Sequence, residues 1–365
     1  MKIAQISPLF ESVPPTLYGG SERIVSWLTE ELVRRGHEVT LFASGDSRTS
    51  AELVPVTPKA LRMNPDVRDW IPYHIMLLDA VQTRADEFDV IHFHTDLLQM
   101  PLARELGGRV LTTLHGRLDL PDLVPFYRHF PGAALVSISQ HQRQPMPPVN
   151  WLGTVLHGLP LDLLSFYPEP RGDYLAFLGR ISPEKRPDRA IEIARQTGMK
   201  LRIAAKVDKA DQEYWDQVIK PMIDGAPNVE FIGEIGNGEK ARFLGNAAAV
   251  LFPIDWPEPF GLVMIEAMAS GTPVIAFNCG SVPEVIDHGM TGFIVETVPE
   301  AIQAVGQLDQ IDRSRVRQVF EKRFSVARMA RDYERIYKTL TDTQATILPM
   351  LAPAERGAGV RPAPN

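Results

Sequence analysis

Residues 1–44 read MKIAQISPLFESVPPTLYGGSERIVSWLTEELVRRGHEVTLFAS, and this stretch decides the fold. Lys2–Ser7 is a short apolar run of the kind that forms a buried strand. A Pro- and Gly-bearing loop follows to Gly20, and Ser21 stands where a helix cap belongs, ahead of Ile24, Trp27, Leu28 and Leu32 at helical spacing. Gly36 stops the helix, and Glu38–Ala43 gives a second apolar run. Strand, helix, strand in this order is the unit from which parallel sheets are built, because parallel neighbours need a crossover long enough to hold a helix.

The alternation continues. Val90–Phe93, Val110–Leu114 and Leu135–Ile138 read as further strands, with a helix over Tyr73–Ala85 between the early ones. A second series opens at Tyr174–Leu178 and a helix near Asp188–Gln196. It adds strands at Leu201–Ala205, Val229–Ile232, Val250–Pro253 and Pro273–Phe277. The fold class is therefore α/β with two doubly wound parallel sheets. The expected units are 1–168, 169–324, a helix over 325–345 and a tail over 346–365. Met329, Tyr333, Ile336, Tyr337 and Leu340 share one face of that late helix, which comes after the second sheet is complete. It needs a docking surface elsewhere, and crossing back onto the first unit supplies one.

Length and composition agree. The 365 residues suit two domains, and 44% apolar with 23% charged residues is ordinary for a globular chain. Prolines, 31 in all, are in excess; nine fall between Pro121 and Pro170, which places the inter-domain connection near Ser165–Gly172. Four more follow Leu348 in an Ala-, Pro-, Gly- and Arg-containing tail expected to be disordered. One cysteine cannot form an internal disulfide, which points to a cytoplasmic setting. A net charge of −7, with 14 basic and 18 acidic residues before Ser165 and 24 and 27 after it, argues against a nucleic-acid partner. No run is long enough to span a membrane, while a local patch for weak contact with its inner face stays open. Nothing in the chain speaks to oligomeric state.

In doubly wound sheets ligands lie beyond the carboxyl ends of the strands. Four places there stand out. Gly19-Gly20 closes a loop and opens a helix, so backbone N–H groups can approach an anion, although a plain turn would look the same. Arg180 and Lys185 follow the strand Tyr174–Leu178 and can clamp a diphosphate, although surface cations are usually only solvated. Glu258 sits between Pro257 and Pro259, just before a helix over Phe260–Ser270 that is apolar almost all round. Glu266 lies in the middle of that helix and must find a donor, a protein group or ligand hydroxyls. His115-Gly116 follows the strand Val110–Leu114. His92 and His94 share a strand face, and without a third ligand nearby they read as structural rather than metal-binding. No Asp-x-Asp pair occurs anywhere.

These residues resemble those of a family-4, retaining, nucleotide-sugar-dependent glycosyltransferase with the GT-B fold of two Rossmann-like domains facing across a cleft. The resemblance rests first on Glu258 and Glu266 around Phe260-Gly261-Leu262, continued by Ala267-Met268-Ala269-Ser270-Gly271-Thr272-Pro273-Val274. Gly19-Gly20-Ser21-Glu22, Thr113-Leu114-His115-Gly116, Gly179-Arg180 with Glu184-Lys185, Gly280 with Pro283-Glu284, and Thr291-Gly292 support it. It covers residues 1–340.

The resemblance implies roles. Glu266 would bind the ribose and Glu258 the donor sugar's hydroxyls. Arg180 and Lys185 would neutralise the diphosphate, and N–H groups of Phe260, Gly261, Leu262 and Val263 would complete the phosphate site. His115 would touch the donor sugar, Gly19 and Gly20 would close over the phosphates, and the base would lie near Glu234 and Ile235. A hexosyl group would pass from a nucleotide diphosphate sugar, UDP-linked in preference to GDP-linked, to a hydroxyl of a glycan, lipid-linked glycan or small molecule. No cofactor or metal is expected. Departures fall at Lys206-Val207-Asp208-Lys209, where a glycine-rich turn is usual, at His157-Gly158-Leu159-Pro160-Leu161-Asp162, and at Ser281. An epimerase or phosphorylase on the same scaffold, or a silent nucleotide-sugar-binding protein, are the alternatives.

Overall fold

A computed structural model describes residues 1–16, 19–170 and 172–351. The first sheet is built from β1 (Lys2–Ile6), β2 (Glu38–Ser44), β3 (Glu52–Thr57), β4 (Val90–Phe93), β5 (Val110–Thr113), β6 (Leu135–Ser137) and β7 (Trp151–Thr154). The second is built from β8 (Tyr174–Arg180), β9 (Lys200–Lys206), β10 (Val229–Gly233), β11 (Ala249–Phe252), β12 (Val274–Phe277) and β13 (Gly292–Val295). Their orders are β3-β2-β1-β4-β5-β6-β7 and β10-β9-β8-β11-β12-β13. Each is doubly wound. Chain direction across the sheet reverses between β1 and β4 in one and between β8 and β11 in the other, and those are the points where a crevice opens.

Three strands depart from the sequence reading. β3 and β7 are the two edges of the first sheet, and β13 is an edge of the second. β3 lies in a stretch between the second apolar run and the helix Tyr73–Ala85 to which the sequence assigned no element, and it carries Pro55, which an edge strand tolerates because its outer side needs no N–H. The ladder from β2 to β3 also slips a residue at Ala43/Ser44. The first helix starts at Gly20, with Gly19 rather than Ser21 in the capping position and no side-chain cap. Gly19 has φ 143°, and a Cβ there would press to 2.9 Å on Pro15.

The chain passes between the sheets at Leu159, upstream of the 165–172 stretch marked out by proline content, and returns at Ser325. Leu159 N–H donates to Phe324 O and Val326 N–H to Leu159 O, both at 2.8 Å. The two crossings touch closely enough that a Cβ on Gly158 would lie 2.4 Å from Ser325 O. Leu164 and later residues already belong to the second unit: Tyr167 N–H donates to Ser270 O, and Leu164 packs in its core.

After the return crossing the helix Val326–Leu351 docks on the first sheet. Met329, Tyr333, Tyr337 and Leu340 pack with Ile3, Ile24, Leu28, Leu32, Val90 and Leu111 in one buried cluster. The helix runs six residues into the segment expected to be tail (346–365), and residues 352–365 lie outside the described residues. Tyr337 and Tyr333 are fully buried. Removing the ring in Tyr337→Ala should cost about 3–5 kcal/mol, the range for large aromatic truncations in cores. Denaturant unfolding tests this, and a loss below about 1 kcal/mol would show that the helix is not part of the first unit's core.

Candidate active site

Both switch points open into one cleft of about 1010 Å³ between the sheets. Its walls include every residue to which the resemblance gives a role in binding or catalysis: Gly19, Gly20 and His115 on one side, and on the other Arg180, Lys185, Glu234, Ile235, Glu258, Phe260, Gly261, Leu262, Val263 and Glu266.

The carboxylates are set by one loop-and-helix unit. The helix Leu262–Ala269 begins after Gly261, whose φ of 79° suits glycine and where a Cβ would meet Met264 Cε at 2.8 Å. Its first N–H groups have no acceptor within the helix and open to the cleft, the arrangement that favours an anion. Glu266 is only 4% exposed. The partner that so buried a carboxylate needs is Lys240, whose Nζ lies 2.7 Å from Glu266 Oε1. Glu258 is bonded through Oε2 to Lys185 Nζ and to Trp256 Nε1, the latter at 3.1 Å. Its loop is braced from behind. Ser281 N–H donates to Glu258 O at 3.0 Å, and Gly280 (φ 60°) passes so close that a Cβ would lie 2.4 Å from Glu258 N.

The cation loop is laced to the carboxylate loop. Asp255 N–H donates to Glu184 O at 2.9 Å, and Arg186 Nη1 reaches Asp255 at 2.7 Å. Arg186 adopts φ 52°, a left-handed conformation that these bonds stabilise. This lacing brings Lys185 to Glu258. Arg180 closes β8 amid acids, with Glu184 at 2.5 Å and Asp208 and Asp211 each at 3.9 Å. Asp208 stands where the resembling family has its glycine-rich turn, and it also pairs with Lys206 at 2.9 Å.

On the facing side, Gly20 comes against the start of the helix Leu262–Ala269; a Cβ on it would lie 3.7 Å from Leu262 Cδ1. His115 ends a buried polar chain. Tyr337 Oη lies 2.7 Å from His92 Nδ1 and accepts from Gln5 Nε2 at 3.1 Å. Gln5 Oε1 lies 2.7 Å from His94 Nε2, and His94 Nδ1 lies 2.8 Å from His115 Nε2. Both ring nitrogens of His92 and of His94 are thereby engaged inside the protein. His115 stacks on His157 at 5.4 Å and 17°, and His157 meets Phe260 edge-on at 4.8 Å. The side chain of Phe260 is buried, so only its backbone can serve a phosphate.

Four residues of the site escaped sequence reasoning. Lys240, His157 and Arg117 carry no spacing signal, since each matters through a partner distant in sequence, and Trp256, two residues before Glu258, reads as a loop aromatic until its N–H is placed on that carboxylate. His157 was visible only as a departure at the junction. Glu284, read as part of a supporting motif, accepts the N–H groups of Gln140 at 2.7 Å and His141 at 2.8 Å, and so ties the two units together.

Burial pushes the four clustered histidines toward the neutral form, His115 down to about 4 and His92, His94 and His157 well below their ordinary value. An unfolded chain takes up these protons near pH 6.5, which the folded one refuses. Folding stability from them is therefore fully present above that pH and lost as pH falls from about 6.5 toward about 4. Thermal melting should drop steadily over that window, and His94→Gln should flatten the slope; equal slopes in both proteins would contradict the assignment.

Residues 168–323 match the family model described as Glycosyl transferases group 1, and residues 18–146 match Glycosyltransferase Family 4. The chain is 32% identical over 337 residues to a D-inositol 3-phosphate glycosyltransferase of Actinosynnema mirum, spanning 76% of this chain and 80% of that one. It is 24% identical to a phosphatidyl-myo-inositol mannosyltransferase of Mycolicibacterium smegmatis, spanning 93% and 94%. Among solved structures, sucrose-phosphate synthase of Thermosynechococcus elongatus superposes with a TM-score of 0.76 at 19% identity, over 94% of this chain and 99% of that one. The Anabaena HepE protein in complex with UDP-glucose superposes at 0.67 and 18%, over 94% and 100%. No helix among the described residues is long and apolar enough to cross a membrane.

Proposed function

The chain belongs to the family-4 glycosyltransferases of GT-B fold, and from that premise we propose that it moves a hexosyl group from a nucleotide diphosphate sugar to a hydroxyl acceptor with retained configuration and without a metal ion. One observation carries the reading. Two carboxylates, each paired with a lysine, flank an open helix N-terminus in a cleft whose opposite wall presents His115 and the Gly19-Gly20 turn.

In this reading Glu266 takes the ribose hydroxyls, with Lys240 turning from it toward the nucleotide's anionic side, and the base lies along Glu234 and Ile235. The diphosphate rests on the N–H groups from Phe260 to Val263, with Arg180 and Lys185 against it. Glu258 and His115 hold the sugar. The bond from C1 to the diphosphate oxygen breaks and a bond from C1 to the acceptor oxygen forms on the same face, while the acceptor's proton passes to the departing phosphate. Negative charge grows on the leaving group, so the cations and N–H groups act where the transition state needs them. UDP is favoured over GDP as the carrier, in keeping with the fold neighbour solved with UDP-glucose. The acceptor, a glycan, lipid-linked glycan or small molecule, docks against the first unit, where Phe10, Trp70 and His74 cluster with ring centres 5.0 to 5.4 Å apart.

Calorimetry with UDP and GDP, followed by turnover with a panel of their sugars, tests this. Glu266→Ala should weaken nucleotide binding roughly 10-fold or more, as expected for losing a hydrogen bond to a charged group. Glu258→Ala should spare nucleotide binding and depress turnover; unchanged affinity in Glu266→Ala sinks the ribose assignment. Activity should survive a chelator. Abolition by chelation with rescue by a divalent ion would contradict metal independence.

A further inference from the structure

We propose that Trp256 is a positioning residue for Glu258, and that Arg117 of the opposite unit clamps it when the cleft closes; this rests on the reading of Glu258 as the sugar-binding carboxylate. Both protein donors to Glu258 converge on Oε2: the Lys185 ammonium and, at 3.1 Å, the Trp256 indole N–H. No described residue bonds Oε1. The carboxylate thus spends one oxygen on the protein and presents the other to the cleft, as a group that must accept a hydroxyl at a fixed angle should.

Lys185 cannot hold Glu258 and a diphosphate with equal strength. A doubly charged ligand beside it competes for the ammonium, whose flexible stem lets it turn. Once it turns, the indole N–H is the donor that remains on Oε2. A neutral N–H on a two-torsion ring is suited to that, since no phosphate draws it away.

The ring itself is held. Trp256 O accepts from Glu258 N–H at 2.7 Å and from Cys279 Sγ at 2.9 Å, which pins the backbone. Lys185 Nζ lies 4.9 Å from the ring centre and the Arg117 guanidinium carbon 5.6 Å, both within reach of a cation–π contact. Arg117 is fixed in turn by Asp119, through Nε and Nη2 at 2.7 Å each. Arg117 follows β5 and Trp256 follows β11, so the contact spans the cleft and is lost when the units part. When Lys185 leaves for the phosphates, Arg117 is the cation that stays over the indole. Closure and the aim of Glu258 are then one event.

Three variants of the full chain test this. Trp256→Phe keeps an aromatic face for the cations and deletes the N–H together with the five-membered ring that carries it. It should lower kcat roughly 10- to 100-fold, the worth of a hydrogen bond to a charged group, with nucleotide affinity within about 3-fold of wild type. Arg117→Leu should lower kcat less, and the defect should deepen as the acceptor is made smaller and contributes less to closure. In a Glu258→Ala background Trp256→Phe should cost nothing further, because its effect passes through that carboxylate. A loss that persists in that background, or full kcat in Trp256→Phe, overturns the proposal. A readout independent of turnover is the indole N–H resonance of Trp256, assigned from its disappearance in Trp256→Phe. It should lie downfield, stay there when inorganic pyrophosphate is added, and move upfield in Glu258→Ala. An unmoved resonance in Glu258→Ala overturns the contact itself. Absence of any nucleotide-sugar turnover by wild type, with the resonance behaving as stated, would instead count against the functional reading.

Discussion

Two carboxylates held largely out of water on one loop-and-helix unit have to be compensated, and the cleft wall is arranged around that need. Glu258 and Glu266 sit before and within the helix Leu262–Ala269, in surroundings where an unpaired charge would cost several kcal/mol. Each has a lysine: Lys185 from the loop after β8, Lys240 from the helix after β10. A cation that neutralises a carboxylate in the cleft also stands next to the place where the proposed phosphates and ribose would lie. In the proposed reading the compensation that lets the site fold leaves the binding groups already gathered, and ligand binding would be an exchange of partners rather than the desolvation of bare charges.

The helix Val326–Leu351 is usually the sort of element one would describe as packing alone. Here its tyrosines are polar members of the first unit's core. Tyr333 Oη lies 3.0 Å from Thr113 Oγ1, and Tyr337 joins Gln5 and His92. From there the chain of bonds runs through His94 to His115 at the cleft. If Gln5 Nε2 donates to Tyr337, Gln5 Oε1 must accept from His94 Nε2–H, and His94 Nδ1 then accepts from His115 Nε2–H. The orientation fixed on the helix thus propagates to the cleft, leaving His115 Nδ1 as a bare acceptor. The opposite sense would leave a buried N–H unpaired, the costlier of the two errors.

Much of this was legible in the sequence. Val90-Ile91-His92-Phe93 spells β4 to the residue, and Glu266 stands out because an acid in an almost wholly apolar helix demands a reason. The docking of the late helix followed from an apolar face with nowhere else to go. The edge strands β3, β7 and β13 were not legible, because each is short or broken by Pro or Gly and is defined by its neighbour rather than by its own pattern. Lys240 and Trp256 were invisible for a related reason. A lysine on a helix and a tryptophan in a loop look like surface and filler until the partner 26 residues or two residues away is placed against them.

The boundary between the two units is bonded along one side of the cleft. The two chain crossings bond to each other at Leu159 and Val326, and Gly158 lets them touch. Glu284 grips the backbone of Gln140 and His141 across the boundary, and Ser139 Oγ donates to Pro259 O at 2.6 Å, immediately beside Glu258. The loop that carries Glu258 is thus bonded to the opposite unit on its hinge side, while its outer side meets that unit, among the described residues, through the Arg117–Trp256 contact. A hydrogen bond at 2.6 Å tolerates little displacement, whereas a cation over an aromatic face tolerates more. In the proposed reaction the two units would pivot near Ser139 and part most at Gly20, Arg117 and Trp256, since those contacts lie on the side of the cleft away from the bonded crossings.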